Sequence, residues 1–360
     1  MIGSRLGSRH RAVITFCVAA ILAACQGRPA GSATPPAGVP SAPSTSLATP
    51  AAPSPTPRPT LPTGRLLFTR YAGNAEGAFV GFFILDARQS KATKVDLPFT
   101  VAGAGIPVWS PDGSTLLVNI YRSDTGARPA TIKPDGSQFR MLEPEGLAGD
   151  LECTSWSADG RRLLCYVGSP NTKLDGMYEL TLEGTELRRL TTSPYHYTEG
   201  SEGGCGGGEG RGVYSPDGSR FAFIRQKCGT GPAPDKDEEA ALVVGDLATR
   251  KLTVIVERGV RTHAGSQLSW SPDGAWIAYG TQSLDLALVR PDGTDGHVVE
   301  VDADSAGIMG PTWSPDGSAI LVCTLLSGNL GSMYVVVPDG SGASIVSGTS
   351  GGAFPSWTGS

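Results

Sequence analysis

The stretch Trp109-Ser110-Pro111-Asp112-Gly113 decides how this sequence is organised, because close copies of it recur along the chain. The copies are Trp156–Gly160, Tyr214–Gly218, Trp270–Gly274, Trp313–Gly317 and a truncated one that ends at Trp357. Their aromatic residues are 47, 58, 56, 43 and 44 positions apart, a period typical of repeat proteins. Proline presets the first turn position and Asp-Gly supplies left-handed backbone, so each copy predicts a tight hairpin.

Each motif precedes a short apolar run of β-forming residues, and a similar run opens the folded region at Leu66–Arg70. The other runs are Thr115–Ile120, Arg162–Val167, Arg220–Ile224, Trp276–Tyr279 and Ala319–Cys323. A second turn signal alternates with the first, at Pro134–Gly136, Glu183–Gly184, Pro291–Gly293 and Pro338–Gly340. Each repeat therefore holds four strands, A to D, with tight A–B and C–D turns. We predict an all-β fold, a six-bladed β-propeller of four-stranded antiparallel blades.

The two ends of the repeat region complement each other. The first blade has no A strand of its own, while the last A strand, Phe354–Trp357, has no blade of its own. Pairing this C-terminal strand with the first blade closes the ring and removes two exposed edges. We therefore expect the propeller to be closed by its C-terminal strand.

The Trp-Ser-Pro-Asp-Gly hairpin and the Pro-Asp-Gly turns resemble the repeats of TolB and related WD-like propellers over all of Arg65–Ser360. The resemblance implies the fold and says little about activity, because propellers host many unrelated functions. TolB-type proteins place an α/β domain before the propeller, whereas this sequence has a signal and a polar segment there. For that reason the Tol-Pal role is not carried over.

The N-terminal residues predict export and lipid anchoring. Basic residues precede an apolar run that ends in Leu22-Ala23-Ala24-Cys25, which resembles a bacterial lipobox. We expect residues 1–24 to be a signal peptide, Cys25 to be lipidated, and residues 25–63, rich in Pro, Ala, Ser and Thr, to be a disordered tether. The propeller domain would span residues 64–360. The predicted location is the extracytoplasmic side of the cell membrane, or of an outer membrane. The alternative is ordinary cleavage after Ala24 with an unmodified cysteine.

Charge argues against nucleic acid as a partner. All 34 acidic residues lie after Thr63, whereas five of the 29 basic residues lie before it, so the folded region has a formal charge of −10. An acidic surface repels phosphates.

The candidate binding surface is the rim opposite the tight turns, where the B–C and D–A connections gather. Loops on a rigid scaffold are where propellers usually bind. Two long connections flank one blade, Thr192–Gly212 and Gln226–Ala240. Their candidate binding residues are Tyr195, His196, Tyr197, Glu199, Glu202, Glu209, Asp235, Asp237 and Glu238. This acidic, aromatic-edged set would suit a cationic or carbohydrate-like ligand; the alternative is a solvated insertion without a role.

Four cysteines are placed to form two disulfides across A–B hairpins, since export permits such bonds. Cys153 and Cys165 are equidistant from Asp159 in the hairpin, and Cys205 and Cys228 occupy nearly the same places one repeat later. We predict the pairs Cys153–Cys165 and Cys205–Cys228, each contributing about 2–4 kcal/mol. Cys323 is expected to be a buried apolar residue.

The sequence offers little chemistry for catalysis or metal binding. The histidines after the tether, His196, His263 and His297, lack the spacing of paired ligands. Asp235–Glu238 and Asp302–Asp304 could contribute to a calcium site without forming an EF-hand. We therefore predict no catalytic residues, no metal site and no cofactor, with calcium as the alternative.

These features favour a membrane-anchored module of the cell envelope that binds an envelope protein or polymer, or acts as a scaffold. A propeller enzyme acting on polysaccharide or peptide, a lyase or a hydrolase, is the alternative.

Overall fold

The computed structural model describes residues 59, 63–72, 78–86, 89, 91–98, 105–122, 126–147, 149–168, 172–194, 208–227, 239–262, 266–303, 305–326 and 329–359. In these ranges the chain forms 24 strands in six four-stranded sheets and one short 3-10 helix, Thr172–Leu174. No helix in the described ranges is long and apolar enough to cross a membrane.

Every sheet is one antiparallel blade, and we number the blades from the first complete repeat of B, C and D strands. Blades 1 and 2 use β1 (Arg65–Tyr71), β2 (Phe79–Asp86), β3 (Thr93–Lys94), β4 (Val108–Trp109), β5 (Leu116–Arg122), β6 (Gly126–Ile132) and β7 (Arg140–Met141). Blade 3 holds β8 (Asp150–Trp156), β9 (Arg162–Gly168), β10 (Gly176–Thr181) and β11 (Leu187–Arg189). Blade 4 holds β12 (Gly208–Tyr214), β13 (Arg220–Lys227), β14 (Glu239–Asp246) and β15 (Leu252–Val256). Blade 5 holds β16 (Ser269–Trp270), β17 (Ile277–Gly280), β18 (Leu286–Val289) and β19 (His297–Val299). Blade 6 holds β20 (Gly307–Trp313), β21 (Ile320–Leu326), β22 (Asn329–Val336) and β23 (Ala343–Ile345), and β24 (Gly352–Thr358) joins blade 1.

The predicted closure is confirmed. β24 pairs with β1 in antiparallel register, with Arg65 opposite Thr358 and Leu66 opposite Trp357, so blade 1 has the strand order β24-β1-β2-β3. The A strands β24, β4, β8, β12, β16 and β20 contact one another in sequence around the whole ring. They are therefore the innermost strands, and the D strands form the outer edges. Each B strand begins within one residue of its predicted start.

The core lies between the blades, since alternate residues of a strand point to opposite faces of its sheet. One cluster packs Leu67 and Phe82 of blade 1 against Trp109 and Val118 of blade 2, and similar clusters fill the next interfaces. The motif tryptophans are buried, between 5% and 8% exposed. They serve the packing of neighbouring blades.

The motif forms the same hairpin turn in every blade that carries it. The Ser110 hydroxyl donates to Asp112 Oδ1 at 2.6 Å, and the Thr115 N–H donates to Ser110 Oγ at 2.9 Å. Gly113 has a φ of 66°, which is the left-handed position that favours glycine. Equivalent serine–aspartate bonds join Ser157 to Asp159, Ser215 to Asp217, Ser271 to Asp273 and Ser314 to Asp316. In the first of these turns, the hydrogen bonds that Asp112 accepts from Ser110 and Ser114 lower its pKa to about 2, and the bond from Ser110 has the largest effect.

Candidate binding surface

The two rims of the ring have different connections. Because the strands of a blade are antiparallel, all A–B and C–D turns lie on one rim, which we call the turn rim. The B–C and D–A connections lie on the other, which we call the loop rim. The longest gap between strands follows β11, and the longest B–C connection follows β13 in blade 4; both lie on the loop rim. This is the face that the sequence identifies as the candidate binding surface.

The stems of the two long connections stand side by side in blade 4. Gly208 pairs with Gln226, and Lys227 pairs with Glu239, so β12, β13 and β14 present adjacent ends on the loop rim. Most of the predicted binding residues fall outside the described ranges, namely Tyr195, His196, Tyr197, Glu199, Glu202, Asp235, Asp237 and Glu238. Cys25 and the pair Cys205 and Cys228 also lie outside them, so the binding role, the lipidation and the second disulfide stay predictions.

Glu209 is the one predicted binding residue that the structure describes, and its position corrects the expected loop boundary. The loop ends earlier than Gly212, because β12 begins at Gly208 and includes Glu209. The Glu209 side chain is fully buried and receives hydrogen bonds from Arg225, with Nε 2.9 Å and a terminal nitrogen 2.5 Å from Oε1. The Thr191 hydroxyl donates to its other oxygen. Glu209 therefore clamps the D–A connection of blades 3 and 4 to strand β13.

A second acid, Glu152, is half-buried and lies on the innermost strand of blade 3. Tyr121 of blade 2 donates its hydroxyl to Glu152 Oε2 at 3.1 Å, and Tyr166 also hydrogen-bonds to the carboxyl. Burial raises the pKa of Glu152, against the opposing effects of the nearby Arg211 charge and the tyrosine hydrogen bonds. Arg211 itself has a φ of 56° at a β-bulge of β12. Blades 2, 3 and 4 thus form a cluster on the inner wall of the ring, in the half nearer the loop rim. Its members are Glu152, Arg211, Tyr121 and Tyr166.

No local sequence pattern marks this cluster, since its members lie far apart in the chain. Glu152 and Tyr121 are 31 positions apart and belong to different repeats. Glu152 and Arg211 could have been found from the sequence only by assuming that the A strands line the inside of the ring and then looking for charged residues on those strands.

The disulfide Cys153–Cys165 is confirmed and lies beside this cluster. Cys153 is directly opposite Cys165 in the β8–β9 ladder. The side-chain amide of Asn119 in blade 2 binds both backbone groups of Cys153, with each hydrogen bond at 2.9 Å. The Cys153–Cys165 pair is therefore a non-hydrogen-bonded pair, which is the register in which opposite side chains are closest. The free cysteine Cys323 is buried, and burial raises the pKa of its thiol to about 12.

On the inner wall, a hydrogen bond also joins two blades that are not neighbours. Gln267, just before β16 in blade 5, donates its amide N–H to the carbonyl of Pro355 in blade 1 at 2.8 Å. The side chain passes Gly310 of blade 6, where a Cβ would lie 3.4 Å from Gln267 Oε1. Glycine at this position therefore leaves room for the bridge.

Within the described ranges, no group of three or more His, Cys, Asp or Glu side chains is placed to hold a metal ion. The turn-rim aspartates are each bonded within their own hairpin, as Asp112 is.

Comparison with known proteins supports the fold. No protein-family model matches the sequence, and no curated protein matches it. Among solved structures, TolB from Acinetobacter baumannii is similar at 15% identity and a TM-score of 0.56, over 82% of this chain and 66% of that chain. A protein described as TolB from Agrobacterium tumefaciens has 17% identity and a TM-score of 0.54, over 82% and 98%. A chain of the nidogen/laminin complex has 9% identity and a TM-score of 0.56, over 82% and 98%. The protein is thus a six-bladed β-propeller similar in fold to the TolB structures, and at these identities the likeness extends to the fold alone.

Proposed function

We propose that this chain is an exported, lipid-anchored binding module of the cell envelope. In this proposal residues 1–24 direct export, Cys25 carries the lipid, residues 25–63 form the tether, and the propeller of residues 64–360 binds an envelope protein or polymer with its loop rim. No catalytic step is assigned to it.

The observation that carries the proposal is where the chain enters the ring. β1 is a B strand, and B strands start on the turn rim. Arg65 at its start donates to the carbonyl of Gly113, in the A–B turn of blade 2, at 2.7 Å. Pro59 lies against Gly342, at the C–D turn of blade 6. The described residues next to the tether, Pro59 and Arg65, therefore lie on the turn rim, so in this proposal the loop rim is the face away from the anchor.

Two further observations support this proposal. The disulfide Cys153–Cys165 is of the kind that persists in oxidising compartments outside the cytoplasm. One structure of similar fold is a chain of a nidogen/laminin complex, so this fold takes part in a protein complex there.

The test is chemical cross-linking of the full chain in its native envelope, with captured partners identified by mass spectrometry. One variant replaces residues 195–207, which belong to the connection from blade 3 to blade 4, by a short Gly-Ser linker. A matched control replaces residues 123–125, a short connection on the same rim in blade 2. We expect a partner that is captured by the native chain and the control and is lost from the blade 4 variant. A partner that all three capture equally would refute the assignment of the binding face.

The anchor is tested separately with Cys25→Ser. We expect this variant to leave the membrane fraction and to lose the mass of the acyl chains. Membrane retention without a lipid mass would contradict lipidation. Turnover of a glycan or peptide by the full chain would favour the enzyme alternative.

A further inference from the structure

The six blade interfaces can be compared at one equivalent position, the residue six places after the motif aromatic. These residues are Thr115, Arg162, Arg220, Trp276 and Ala319, and each donates its backbone N–H to the hydroxyl of its motif serine. Arg65 at the start of β1 takes the same place in blade 1. At the five positions that follow a motif serine, the backbone makes the same hydrogen bond. The side chain at this position is therefore what distinguishes one interface from another.

At three interfaces this side chain is an arginine, and at two of them the guanidinium lies over the motif aromatic of the next blade. The Arg65 guanidinium lies 4.4 Å from the ring centroid of Trp109 and donates to the carbonyl of Gly113. Arg220 lies 5.2 Å from the ring of Trp270. Arg162 lies near enough to Tyr214 for its charge to act on the phenol. The turn rim thus has a guanidinium slot over an aromatic ring at two interfaces, and between blades 1 and 2 the carbonyl of a turn glycine completes the slot.

The interface between blades 2 and 3 has Thr115 in place of arginine. A cavity of about 500 Å³ lies there, and its lining includes Trp156 and Gly160, the counterparts of Trp109 and Gly113. The carboxylates of Asp112 and Asp159 line it as well. The walls of the slot are therefore present, while the side chain that fills it elsewhere is replaced by a smaller one.

We propose that this blade 2–3 cavity binds the guanidinium of an arginine side chain presented by a partner protein. The partner's arginine would take the place that Arg65 takes over Trp109, with the Trp156 ring beneath it, the Gly160 carbonyl as acceptor and the two carboxylates beside it. This site lies on the turn rim, opposite the face assigned above, and it does not depend on that assignment.

Two cations of the chain also line the cavity, and both are engaged with blade oxygens. Lys133 donates to Thr115 Oγ1 at 3.0 Å and lies 3.4 Å from Ser114 Oγ. Arg140 donates to the carbonyl of Leu182. Together with the two aspartates they make the lining formally neutral, so the aromatic ring and the turn carbonyl supply the preference for a guanidinium. Removal of the Lys133 charge should therefore strengthen binding of a cation.

The experiment titrates the full chain by calorimetry with a short blocked peptide, acetyl-Ala-Arg-Ala-amide. The control peptide carries citrulline, which has the shape of arginine without its charge. We expect the citrulline peptide to bind at least tenfold more weakly. Equal binding of both peptides, or no binding of either, would overturn the proposal.

Three variants test the location. Thr115→Arg supplies the chain's own guanidinium, as in blades 1 and 4, and should weaken arginine-peptide binding at least tenfold. Thr115→Ser leaves the cavity open and should bind as the native chain does. Lys133→Met should tighten binding severalfold. If Thr115→Arg still bound normally, or if Lys133→Met weakened binding, the cavity would not be a cation site. Thermal melting shows whether each variant is folded, and the peptide comparison on the native chain decides the proposal without them.

Discussion

The turn rim and the loop rim hold their acidic side chains in opposite ways. On the turn rim, Asp112 is exposed and bonds to Ser110 and Ser114, each two residues away. Toward the loop rim, Glu209 is buried and bonds to Thr191 and Arg225, which are 18 and 16 positions away. Glu152, which is half-buried, accepts a hydrogen bond from Tyr121 of the neighbouring blade. The turn rim is stabilised locally, hairpin by hairpin, whereas the loop rim depends on contacts that exist only when the ring has assembled.

This contrast separates what can be changed without unfolding the protein from what cannot. A turn-rim acid contributes to one hairpin, and water replaces its hydrogen bonds when it is removed. A buried acid leaves a buried base without a partner when it is removed. Four changes test the contrast, in decreasing order of expected effect.

The largest effect is expected from deleting β24, by ending the chain at Gly351. β1 then loses its partner strand, and the deletion removes Trp357, a buried residue whose truncation alone costs about 3–5 kcal/mol. That is a large part of the ~5–15 kcal/mol by which domains are stable. Thermal unfolding followed by near-UV circular dichroism should lose its cooperative transition.

The matched control ends the chain at Gly359 and keeps all of β24. It should melt as the native chain does. If the chain that ends at Gly351 melted at the same temperature as this control, pairing of β24 with β1 would not close the ring.

The second change is Glu209→Ala, set against Asp112→Ala on the turn rim. The Arg225 side chain is only 17% exposed, so losing its partner should cost about 3–5 kcal/mol. Asp112→Ala should cost about 1 kcal/mol, the usual net worth of a hydrogen bond. Urea unfolding of both variants measures the difference. Equal losses would mean that the two rims do not differ as described.

The third change removes the disulfide with Cys153→Ala and Cys165→Ala together. The two cysteines are 12 positions apart, and closing a loop of this size is worth about 3 kcal/mol. The native chain should lose a similar amount of stability in reductant, while the double variant should be insensitive to it. Cys323→Ala, which removes a buried thiol without a disulfide, is the control. Free thiols at Cys153 and Cys165 in the oxidised native chain would refute the bond.

The sequence predicted the local part of the molecule well because each repeat carries its own turn signal. The six blades, the ring closure and the Cys153–Cys165 pair all followed from the spacing of one motif. The C–D turn of blade 4 was missed, since Asp246–Arg250 has no glycine. There Arg250, with a φ of 62°, takes the left-handed position, and Asp246 bonds to Thr249. This turn is one residue longer than the others, since the Arg250 N–H donates to a carbonyl four positions back, whereas Gly136 and Gly293 donate to carbonyls three positions back. The residues that signal the other turns are absent from it.

The candidate site was less predictable for a physical reason. Glu209 looked like a loop residue because glycines surround it, and glycine-rich sequence favours a loop. Its partners Thr191 and Arg225 come from other elements, so no local pattern marks it as buried. The same holds for Glu152 and Tyr121. Tertiary contacts of this kind follow from assembly of the ring, which the motif predicts only in outline.

The smallest effect, and one of opposite sign, is expected from Glu152→Gln. Burial raises the pKa of Glu152 above its ordinary value of 4.5, so the folded protein binds this proton more tightly than the unfolded chain does. The contribution of Glu152 to stability is therefore fully present below about pH 4.5 and is lost as pH rises through the folded-state pKa. The loss is about 1.4 kcal/mol for every pH unit that separates the pKa values of the folded and unfolded chains. Glutamine keeps a neutral side chain at every pH.

We expect the Glu152→Gln variant to match the native chain in urea unfolding at pH 4 and to exceed it in stability at pH 8. Glu143→Gln, at an exposed pair with Arg122 in blade 2, is the control and should change neither value appreciably. If Glu152→Gln were instead destabilised at pH 8, the carboxylate would be ionised and held by Arg211. The cluster on the inner wall would then be an ion pair like that of Glu209, and Glu152 and Glu209 would share one mode of stabilisation.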